Sequence, residues 1–249
     1  MQNHKWVFIT GLHRSGTSIL YRCILEHPQI SGFRNTNSPE DEGQHLQSVF
    51  PTAWELGGPG YFGFNPKSHL TETSDLITDS NIAKLIDEWS PFLDTSRPYL
   101  LEKSPPTLVR TRFFQKVFPN SYFISITRHP VVTALATKKM AKKRRTLSTL
   151  IAHWFHCHDL FHSDAKYLKK ACEIHYEDFV KEPNRTLLKI FDFLDLQPID
   201  TSLEIKTGIN DKYLNLWKTL SQHLFFRYYI ARLRRRFANK CSEYNYKMP

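Results

Sequence analysis

The residues from Gly11 to Ser18 have the composition and spacing of an anion-binding loop. Gly11 and Gly16 follow the order G-x-x-x-x-G, which is the spacing of the phosphate-binding loop of nucleotide triphosphatases, but Thr17 stands where those enzymes need a lysine. The backbone N–H groups of such a loop and the start of the following helix still attract an anion. The hydroxyls of Ser15, Thr17 and Ser18 add donors. The alternative is an ordinary turn between a strand and a helix.

The loop lies between a predicted strand and a predicted helix. Trp6–Thr10 is a short apolar run, and the apolar residues after the loop have the spacing of one helix face, which ends near His27. Three later strands are separated by segments of helical periodicity. They are Tyr99–Glu102, Tyr122–Thr127 and Glu173–Tyr176. Strands that alternate with helices predict a three-layer α/β fold, a parallel sheet with helices on both faces and a P-loop-like strand, loop and helix.

The length and composition favour one packed domain. A chain of 249 residues with 41% hydrophobic residues can bury a sizeable core, and we expect a single domain over residues 1–249. Segment 31–66 is irregular and rich in Pro, Gly, Asn and acidic residues, which is typical of functional or mobile segments. A basic helical segment is expected at about 216–240. No apolar run reaches the roughly 18 residues of a membrane span, and no signal peptide is apparent, so we expect a cytoplasmic protein.

The net charge of +10 comes from two short clusters. Lys138–Arg145 and Arg227–Lys240 each contain six basic residues and no acidic one, while the rest of the chain has 22 basic against 24 acidic residues. Such local patches favour a site for an anionic ligand over a uniformly basic, histone-like protein. The four cysteines are far apart and form no C-x-x-C pair, so neither a disulfide framework nor a zinc ribbon is indicated.

Further motifs occur in the order and at the spacing of a known family. The loop has the pattern G-x-x-R-S-G-T-[ST], and it is accompanied by Asp41–Gln44, Leu101–Pro105, Phe118–Pro130 and His175–Leu194. Together they resemble the sulfotransferase superfamily, whose members use 3′-phosphoadenosine 5′-phosphosulfate (PAPS) as sulfuryl donor and release adenosine 3′,5′-bisphosphate (PAP). The resemblance covers roughly residues 5–217. With Asp41–Gln44 included, the motifs resemble the shorter bacterial-type enzymes, which are also similar to the tyrosylprotein sulfotransferases.

The resemblance implies roles for the residues that match the donor site. The loop residues Ser15–Ser18 would hold the 5′-phosphate. Arg14 would lie against the sulfate or the bridging oxygen, where a guanidinium offers a fixed fork of donors, and Lys103 would place a second positive charge at the leaving group. Sulfuryl transfer is an in-line displacement similar to phosphoryl transfer, so positioning and charge do most of the catalysis and no metal is required.

The second phosphate of the donor is assigned to Arg128. This residue follows the third predicted strand, where ligands bind in open parallel sheets, and the resemblance implies that it binds the 3′-phosphate. The serine that the family has eight residues later is replaced by Ala136. We expect Thr133, one helical turn earlier, or Thr137 to supply the missing hydroxyl. Tyr176 is expected to contact the adenine end.

An acceptor hydroxyl needs a base that takes its proton as the new S–O bond forms. The resemblance implies Glu42, because the Asp-Glu-Gly-Gln segment corresponds to the place where the tyrosylprotein enzymes have a catalytic glutamate. Asp41, His45 and His13 are alternatives. The acceptor itself is expected to be a small molecule, a saccharide or a peptide with a hydroxyl or an amine, and no nucleic-acid partner is expected.

A group of histidines offers an alternative interpretation as a metal site. They are His153, His156, His158 and His162. Imidazoles four residues apart share a helix face, but no carboxylate or thiolate completes a ligand set, so we expect no metal.

Two other functions compete with sulfuryl transfer. A P-loop kinase would need a lysine in the loop and an acidic magnesium ligand after an apolar strand, where this chain has Thr17 and Arg128. A nucleic-acid-binding or membrane-surface module would use the two basic clusters, and aromatic residues interleave with the arginines of Arg227–Lys240. That segment is therefore a candidate contact for an anionic surface.

Overall fold

The computed structural model describes residues 1–141 and 145–249. At its centre lies a parallel sheet of five strands in the order β2-β3-β1-β4-β5. The strands are β1 (Lys5–Thr10), β2 (Ile30–Gly32), β3 (Tyr99–Lys103), β4 (Ser121–Thr127) and β5 (Ala171–His175). Because β1 lies between β3 and β4, the carboxyl ends of these three strands meet at one edge of the sheet.

Helices cover both faces of the sheet. The described helices are α1 (Thr17–Ile24), α2 (Asp79–Trp89), α3 (Thr111–Val117), α4 (Pro130–Thr137), α5 (Leu147–Ala165), α6 (Tyr176–Lys181), α7 (Pro183–Phe193), α8 (Ile209–Gln222) and α9 (Arg227–Glu243). Successive side chains of a strand point to opposite faces. Val7 and Ile9 of β1 accordingly pack with α1 and α7, while Trp6 and Phe8 pack with α2 and α3. The predicted three-layer α/β fold is confirmed.

Three of the predicted strands lie within observed ones, and the fourth has a different end. The strand predicted at Glu173–Tyr176 is β5 (Ala171–His175), and Tyr176 is the first residue of α6. Glu177 and Asp178 occupy the first turn of that helix, where carboxylates stabilise the helix N-terminus. Tyr176 therefore sits on a helix start beside the sheet edge.

The irregular segment 31–66 contains β2 at its start and then short 3₁₀ turns. Asn35, Asn37, Glu40 and Asp41 have positive φ angles between 49° and 59°, a region that non-glycine residues seldom adopt. The carboxylate of Asp41 accepts hydrogen bonds from the N–H and the hydroxyl of Thr36 (2.8 and 2.7 Å). These bonds fix the turn that presents acidic residues to the sheet edge.

The basic helical segment expected at about 216–240 consists of parts of two helices. His223 has an extended backbone and ends α8, and α9 begins four residues later. Ile230, Leu233, Phe237 and Cys241 are buried in the same core as α4 and α5, so α9 packs on its own chain along one face. None of the helices in residues 1–141 and 145–249 has the length and apolarity needed to cross a membrane.

Trp89 fixes α2 to the sheet. Its ring is fully buried, lies 5.2 Å from Trp6 between ring centroids, and donates a hydrogen bond to the carbonyl of Gly43 (3.0 Å). We predict that Trp89→Ala lowers the free energy of unfolding by about 3–5 kcal/mol, because the core loses a large side chain. Trp54→Ala is the control, since Trp54 is 47% exposed, with an expected loss of about 1 kcal/mol or less. Urea unfolding measures both losses, and equal values would contradict the prediction.

Candidate active site

A cleft of about 320 Å³ opens at the edge of the sheet where β1 and β4 end. Its walls come from the loop after β1, the irregular segment, the residue that follows β4, α6 and α8. The charged side chains in its lining are Arg14, Arg22, Glu40, Glu42 and Arg128. The same cleft thus contains cations, which can bind an anionic ligand, and carboxylates, which can accept a proton.

We call the anion-binding loop from Gly11 to Ser18 the phosphate loop. It has the backbone conformation that its glycine spacing predicts. Gly11 and Gly16 have φ angles of +148° and +103°, where glycine is favoured because it has no Cβ. A Cβ at Gly16 would lie only 2.5 Å from the ring of Tyr176, so that position admits no larger residue. Arg14 also has a positive φ of 69°, and its exposed side chain lines the cleft.

The three hydroxyl residues of the loop have different surroundings. Ser15 is buried and donates to the carbonyl of Leu12 (2.6 Å), so its side chain closes the loop. Thr17 and Ser18 line the cleft, and the hydroxyl of Ser18 donates to the carboxylate of Glu40 (3.1 Å). Thr17 and Ser18 therefore form the part of the cleft wall that belongs to the loop.

Arg128 is buried directly after β4, at the predicted position. Its Nη1 donates to the carbonyl of Arg14 (2.7 Å) and its Nε donates to Oδ1 of Asn210 (2.9 Å). The guanidinium lies 4.1 Å from the centroid of the Tyr176 ring. Burial lowers the pKa of Arg128 from its ordinary value. Nη2 is buried and has no hydrogen-bond partner among the described residues, which fits a site that an anion completes.

Two residues that sequence reasoning missed hold Arg128 in place. Asn210, at the start of α8, accepts from Arg128 and donates to Glu177 (2.7 Å). Glu177 also accepts from the backbone N–H of His129 (3.1 Å) and from the hydroxyl of Tyr246 (3.1 Å). Glu177 lies in the matched segment His175–Leu194, directly after Tyr176, so the sequence could have identified it. Asn210 lies 82 positions after Arg128, and no sequence pattern connects these two residues.

The two threonines expected to replace the family serine lie outside the cleft. Thr133 donates to the backbone carbonyl of Arg128 (3.3 Å), and Thr137 donates to a carbonyl of the phosphate loop (3.3 Å). Both line a separate small cavity behind the loop, because the face of α4 that carries them packs against the loop and against α5. The wall of the cleft includes Ala136 and, from α8, Tyr213.

Lys103 and Glu42 form a buried ion pair beside the cleft. Nζ of Lys103 lies 3.0 Å from Oε1 of Glu42 and also donates to the carbonyl of Glu40 (3.0 Å). The side-chain amide of Gln44 donates to Oε2 of Glu42. Glu42 lines the cleft, whereas Lys103 lines a neighbouring cavity. The pair therefore forms part of the boundary between two spaces.

The structure distinguishes Glu42 from the other candidate bases. Asp41 uses its carboxylate within its own turn and lines the neighbouring cavity. Nε2 of His45 lies 3.8 Å from Oε2 of Glu42, and burial lowers the pKa of His45. His13 lines the cleft, but burial and the nearby Lys103 lower its pKa to about 3, which makes it a weak base at neutral pH.

A second carboxylate, that of Glu102, lies beneath the turn that carries Glu42. It is buried in β3 and accepts from the N–H of Gly43 (3.1 Å) and the hydroxyl of Ser104. Ser104 in turn accepts from the N–H of Gln44 (3.1 Å). Burial raises the pKa of Glu102 to about 7. The sequence motif contains Glu102, but sequence reasoning considered only the lysine that follows it.

The raised pKa of Glu102 predicts a pH-dependent stability. The folded state holds the proton more tightly than the unfolded chain, so this contribution to stability is complete below about pH 4.5 and is lost as the pH rises through about 7. We predict that the free energy of unfolding of the wild type, minus that of Glu102→Gln, falls between about pH 5 and about pH 8. Urea unfolding of both proteins at each of these two pH values measures this difference in the free energy of unfolding. The exposed Glu204→Gln is the control, and a difference for Glu102→Gln that is constant with pH would contradict the prediction.

A larger cavity of about 630 Å³ adjoins the cleft. Its charged lining residues are Arg22, Glu26, Arg34, Glu40, Asp41 and Lys103. Ser18, Arg22 and Glu40 line both spaces. A ligand in the cleft and a second ligand in this cavity would therefore be close to each other.

Three of the four histidines of α5 have hydrogen-bond partners within the fold, whereas both ring nitrogens of His158 are buried without a partner among the described residues. Nε2 of His153 accepts a hydrogen bond from the N–H of Gly63 (3.0 Å), and Nε2 of His156 lies 2.9 Å from the carbonyl oxygen of Gly63. Nε2 of His162 lies 2.9 Å from Glu173. In the part of the chain that the structure describes, no group of three or more His, Cys, Asp or Glu residues is arranged to hold a metal ion. These histidines support packing.

The basic cluster Lys138–Arg145 begins beside the cleft, but its residues 142–144 lie outside the described residues. Met140 lines the cleft. The guanidinium of Arg145 stacks on Tyr61 of the irregular segment, 3.3 Å from the ring centroid. Whether the cluster contacts a ligand stays a prediction.

The parallel sheet, the glycine loop and the buried arginine define an α/β protein with a charged cleft at the sheet edge, and comparison with known families identifies its class. Residues 7–200 match the model of the Sulfotransferase family. The chain therefore belongs to the sulfotransferase family. The resemblance inferred from the motifs is confirmed.

Individual relatives and solved structures agree with this membership. The chain is similar to the protein-tyrosine sulfotransferase of Drosophila melanogaster (24% identity, over 82% of this chain and 40% of the relative) and to protein-tyrosine sulfotransferase 2 of Gallus gallus (24%, over 79% and 53%). It thus spans about half the length of the curated relatives it matches. A solved sulfotransferase domain from the curacin biosynthetic pathway aligns over 100% of this chain and 99% of that chain, with a TM-score of 0.55 and 20% identity. At this identity, the likeness shows the fold.

Proposed function

We propose that this protein transfers a sulfuryl group from PAPS to a hydroxyl or amine acceptor and releases PAP. The observation that carries the proposal is the buried Arg128, whose Nη2 lacks a partner among the described residues, in one cleft with a phosphate loop that has no lysine. Two separate anion sites suit a nucleotide with a 5′- and a 3′-phosphate. Membership of the sulfotransferase family supports the same donor.

The donor binds with its two phosphates at these sites. The N–H groups and hydroxyls of Gly16–Ser18 hold the 5′-phosphate, and the buried side chain of Ser15 keeps the loop in shape. Arg128 holds the 3′-phosphate, and Tyr176 lies beside the adenine end. The hydroxyl of Tyr213 takes the place of the family serine, because Tyr213 lines the cleft and the threonines of α4 do not face it.

The transfer step is carried by three charged side chains. The acceptor oxygen attacks the sulfur as the bond from sulfur to the 5′-phosphate oxygen breaks, and Glu42 takes the acceptor proton. Arg14 and Lys103 stabilise the negative charge that develops on the bridging oxygen. The contact of 3.0 Å between Lys103 and Glu42 holds the carboxylate before reaction. The protein thus contributes position and charge to an in-line displacement.

The acceptor binds in the larger cavity, whose lining includes Lys103 and Asp41. The acceptor hydroxyl or amine reaches from this cavity into the cleft past Ser18 and Glu40, which line both spaces, and meets Glu42 and the sulfuryl group there. A small molecule, a saccharide or a peptide fits this role. The relatives named protein-tyrosine sulfotransferases favour a peptide among these.

The proposed donor predicts which nucleotides stabilise the fold. PAP is expected to raise the Tm without magnesium, by the equivalent of about 2.7 kcal/mol at a hundredfold excess over Kd. ATP with magnesium is expected to leave the Tm unchanged, because Thr17 replaces the lysine that binds the β- and γ-phosphates. Differential scanning fluorimetry measures both shifts. Stabilisation by ATP with magnesium alone would favour a kinase and contradict the proposal.

The transfer step predicts the effects of removing its charges. Arg14→Ala, Lys103→Ala and Glu42→Gln are each expected to lower turnover by roughly a hundredfold or more. Glu42→Gln should still bind PAP, because the carboxylate acts on the acceptor. Chromatography of PAP formed from PAPS with a panel of phenols, saccharides and tyrosine peptides measures turnover, and the exposed Lys84→Ala is the control. Full activity of Glu42→Gln would move the role of base to another residue.

A further inference from the structure

The turn between α8 and α9 exposes an apolar patch that the proposed chemistry does not use. Leu224, Phe225, Phe226 and Tyr228 are 63%, 82%, 46% and 71% exposed. We call residues 224–228 the aromatic tip. Large apolar side chains that are exposed together mark interaction sites more often than isolated ones do.

Arginines continue the patch along the outer face of α9. Residues 230, 233, 237 and 241 are buried and define the inner face of the helix. Tyr228, Arg232 and Arg235 are three or four residues apart and lie on the opposite face, since a helix turns once in 3.6 residues. Arg227, Arg234 and Arg236 are also exposed. We call these five arginines the arginine stripe.

No side-chain carboxylate among the described residues balances the charge of the arginine stripe, although Arg234 donates a hydrogen bond to the backbone oxygen of Pro249 (2.6 Å) and Arg236 donates to the hydroxyl of Ser148 (3.0 Å). Within residues 1–141 and 145–249, none of its five guanidinium groups forms an ion pair with a carboxylate. Lys240, on the next turns of the same helix, pairs with both Asp159 (3.0 Å) and Glu243 (2.9 Å). The unpaired cations thus lie at the end of α9 that adjoins the aromatic tip.

We propose that the aromatic tip and the arginine stripe bind a membrane surface that contains anionic lipids. Both sets of side chains come from neighbouring positions and must contact the same partner. A lipid interface accepts aromatic and aliphatic side chains at headgroup depth, and its phosphates pair with arginines. A nucleic acid would pair with the arginines but would leave Leu224 and Phe225 against phosphates. An apolar protein surface would leave the arginines unpaired.

Sedimentation of the full chain with lipid vesicles tests the proposal. We expect binding to vesicles of phosphatidylcholine mixed with phosphatidylserine, weaker binding to phosphatidylcholine alone, and a steep decrease with salt. Two double variants, Leu224→Ser with Phe225→Ser and Arg232→Glu with Arg235→Glu, should each lower the partition coefficient roughly tenfold or more. All four residues are exposed, so an unchanged Tm confirms that the fold is retained.

Matched controls come from α6 and α7. Leu188→Ser changes an apolar side chain that is 51% exposed, and Lys181→Glu with Lys189→Glu makes the same change of charge at two exposed positions. Both controls should bind vesicles as the wild type does. The PAP-induced shift in Tm should be the same in every variant, so failure of this proposal and failure of the proposed function are distinguishable.

Five outcomes would overturn the proposal. The wild type could bind neither vesicle type, or could bind both equally. The tip and stripe variants could bind as well as the controls. Duplex DNA could bind more tightly than vesicles and independently of Phe225, which would assign the stripe to a nucleic acid. A dimer in solution that the tip variant abolishes would assign the patch to a second copy of the chain.

Discussion

The guanidinium and carbonyl of Arg128 connect five parts of the fold. The side chain donates to the phosphate loop and to Asn210 of α8, and it stacks on Tyr176 of α6. Its backbone carbonyl accepts from Trp154 of α5 and from Thr133 of α4. A buried guanidinium is unfavourable unless its N–H groups are paired. The loop and these helices are therefore positioned relative to one another through this residue, and its remaining buried N–H group has no partner among the described residues.

The charges that the proposed chemistry needs are few, and two of them, Lys103 and Arg128, are buried, whereas the charges that determine the net charge are mostly elsewhere. Arg14, Lys103 and Arg128 lie outside both basic clusters, in the part of the chain that is close to neutral. Burial strengthens the interactions of Lys103 and Arg128 because water screens them less. The ion pair of Lys103 with Glu42 and the proton held by Glu102 are consequences of the same burial. Local burial, more than net charge, therefore explains the proposed chemistry.

Sequence patterns predicted the parts of the fold that depend on local physics. The spacing of Gly11 and Gly16 predicted the loop because both adopt backbone angles that favour glycine. Apolar runs identified the central strands, and parallel pairing then places Lys103 and Arg128 at one edge. The predicted end of β5 was wrong by one residue, because α6 begins at Tyr176, directly after the strand.

Contacts between distant residues could not be predicted in the same way. Thr133 and Thr137 follow Arg128 at plausible spacing, but the face of α4 that meets the cleft depends on how α5 packs, and the structure turns both hydroxyls away. Tyr213 and Asn210 reach the cleft from α8, and nothing in the local pattern connects that helix with β4. The irregular segment has no period, so only the resemblance drew attention to Glu42.

Recognition of the 3′-phosphate by Arg128 is the most direct test of the proposed donor site. Isothermal titration calorimetry compares PAP with adenosine 5′-monophosphate, which lacks that phosphate, in the wild type and in Arg128→Ala. The wild type is expected to bind PAP roughly tenfold or more tightly than the monophosphate, because a charge-assisted hydrogen bond is lost with the phosphate. Arg128→Ala should bind both nucleotides with similar Kd. Equal Kd values in the wild type, or a preference for PAP that survives in Arg128→Ala, would contradict the assignment.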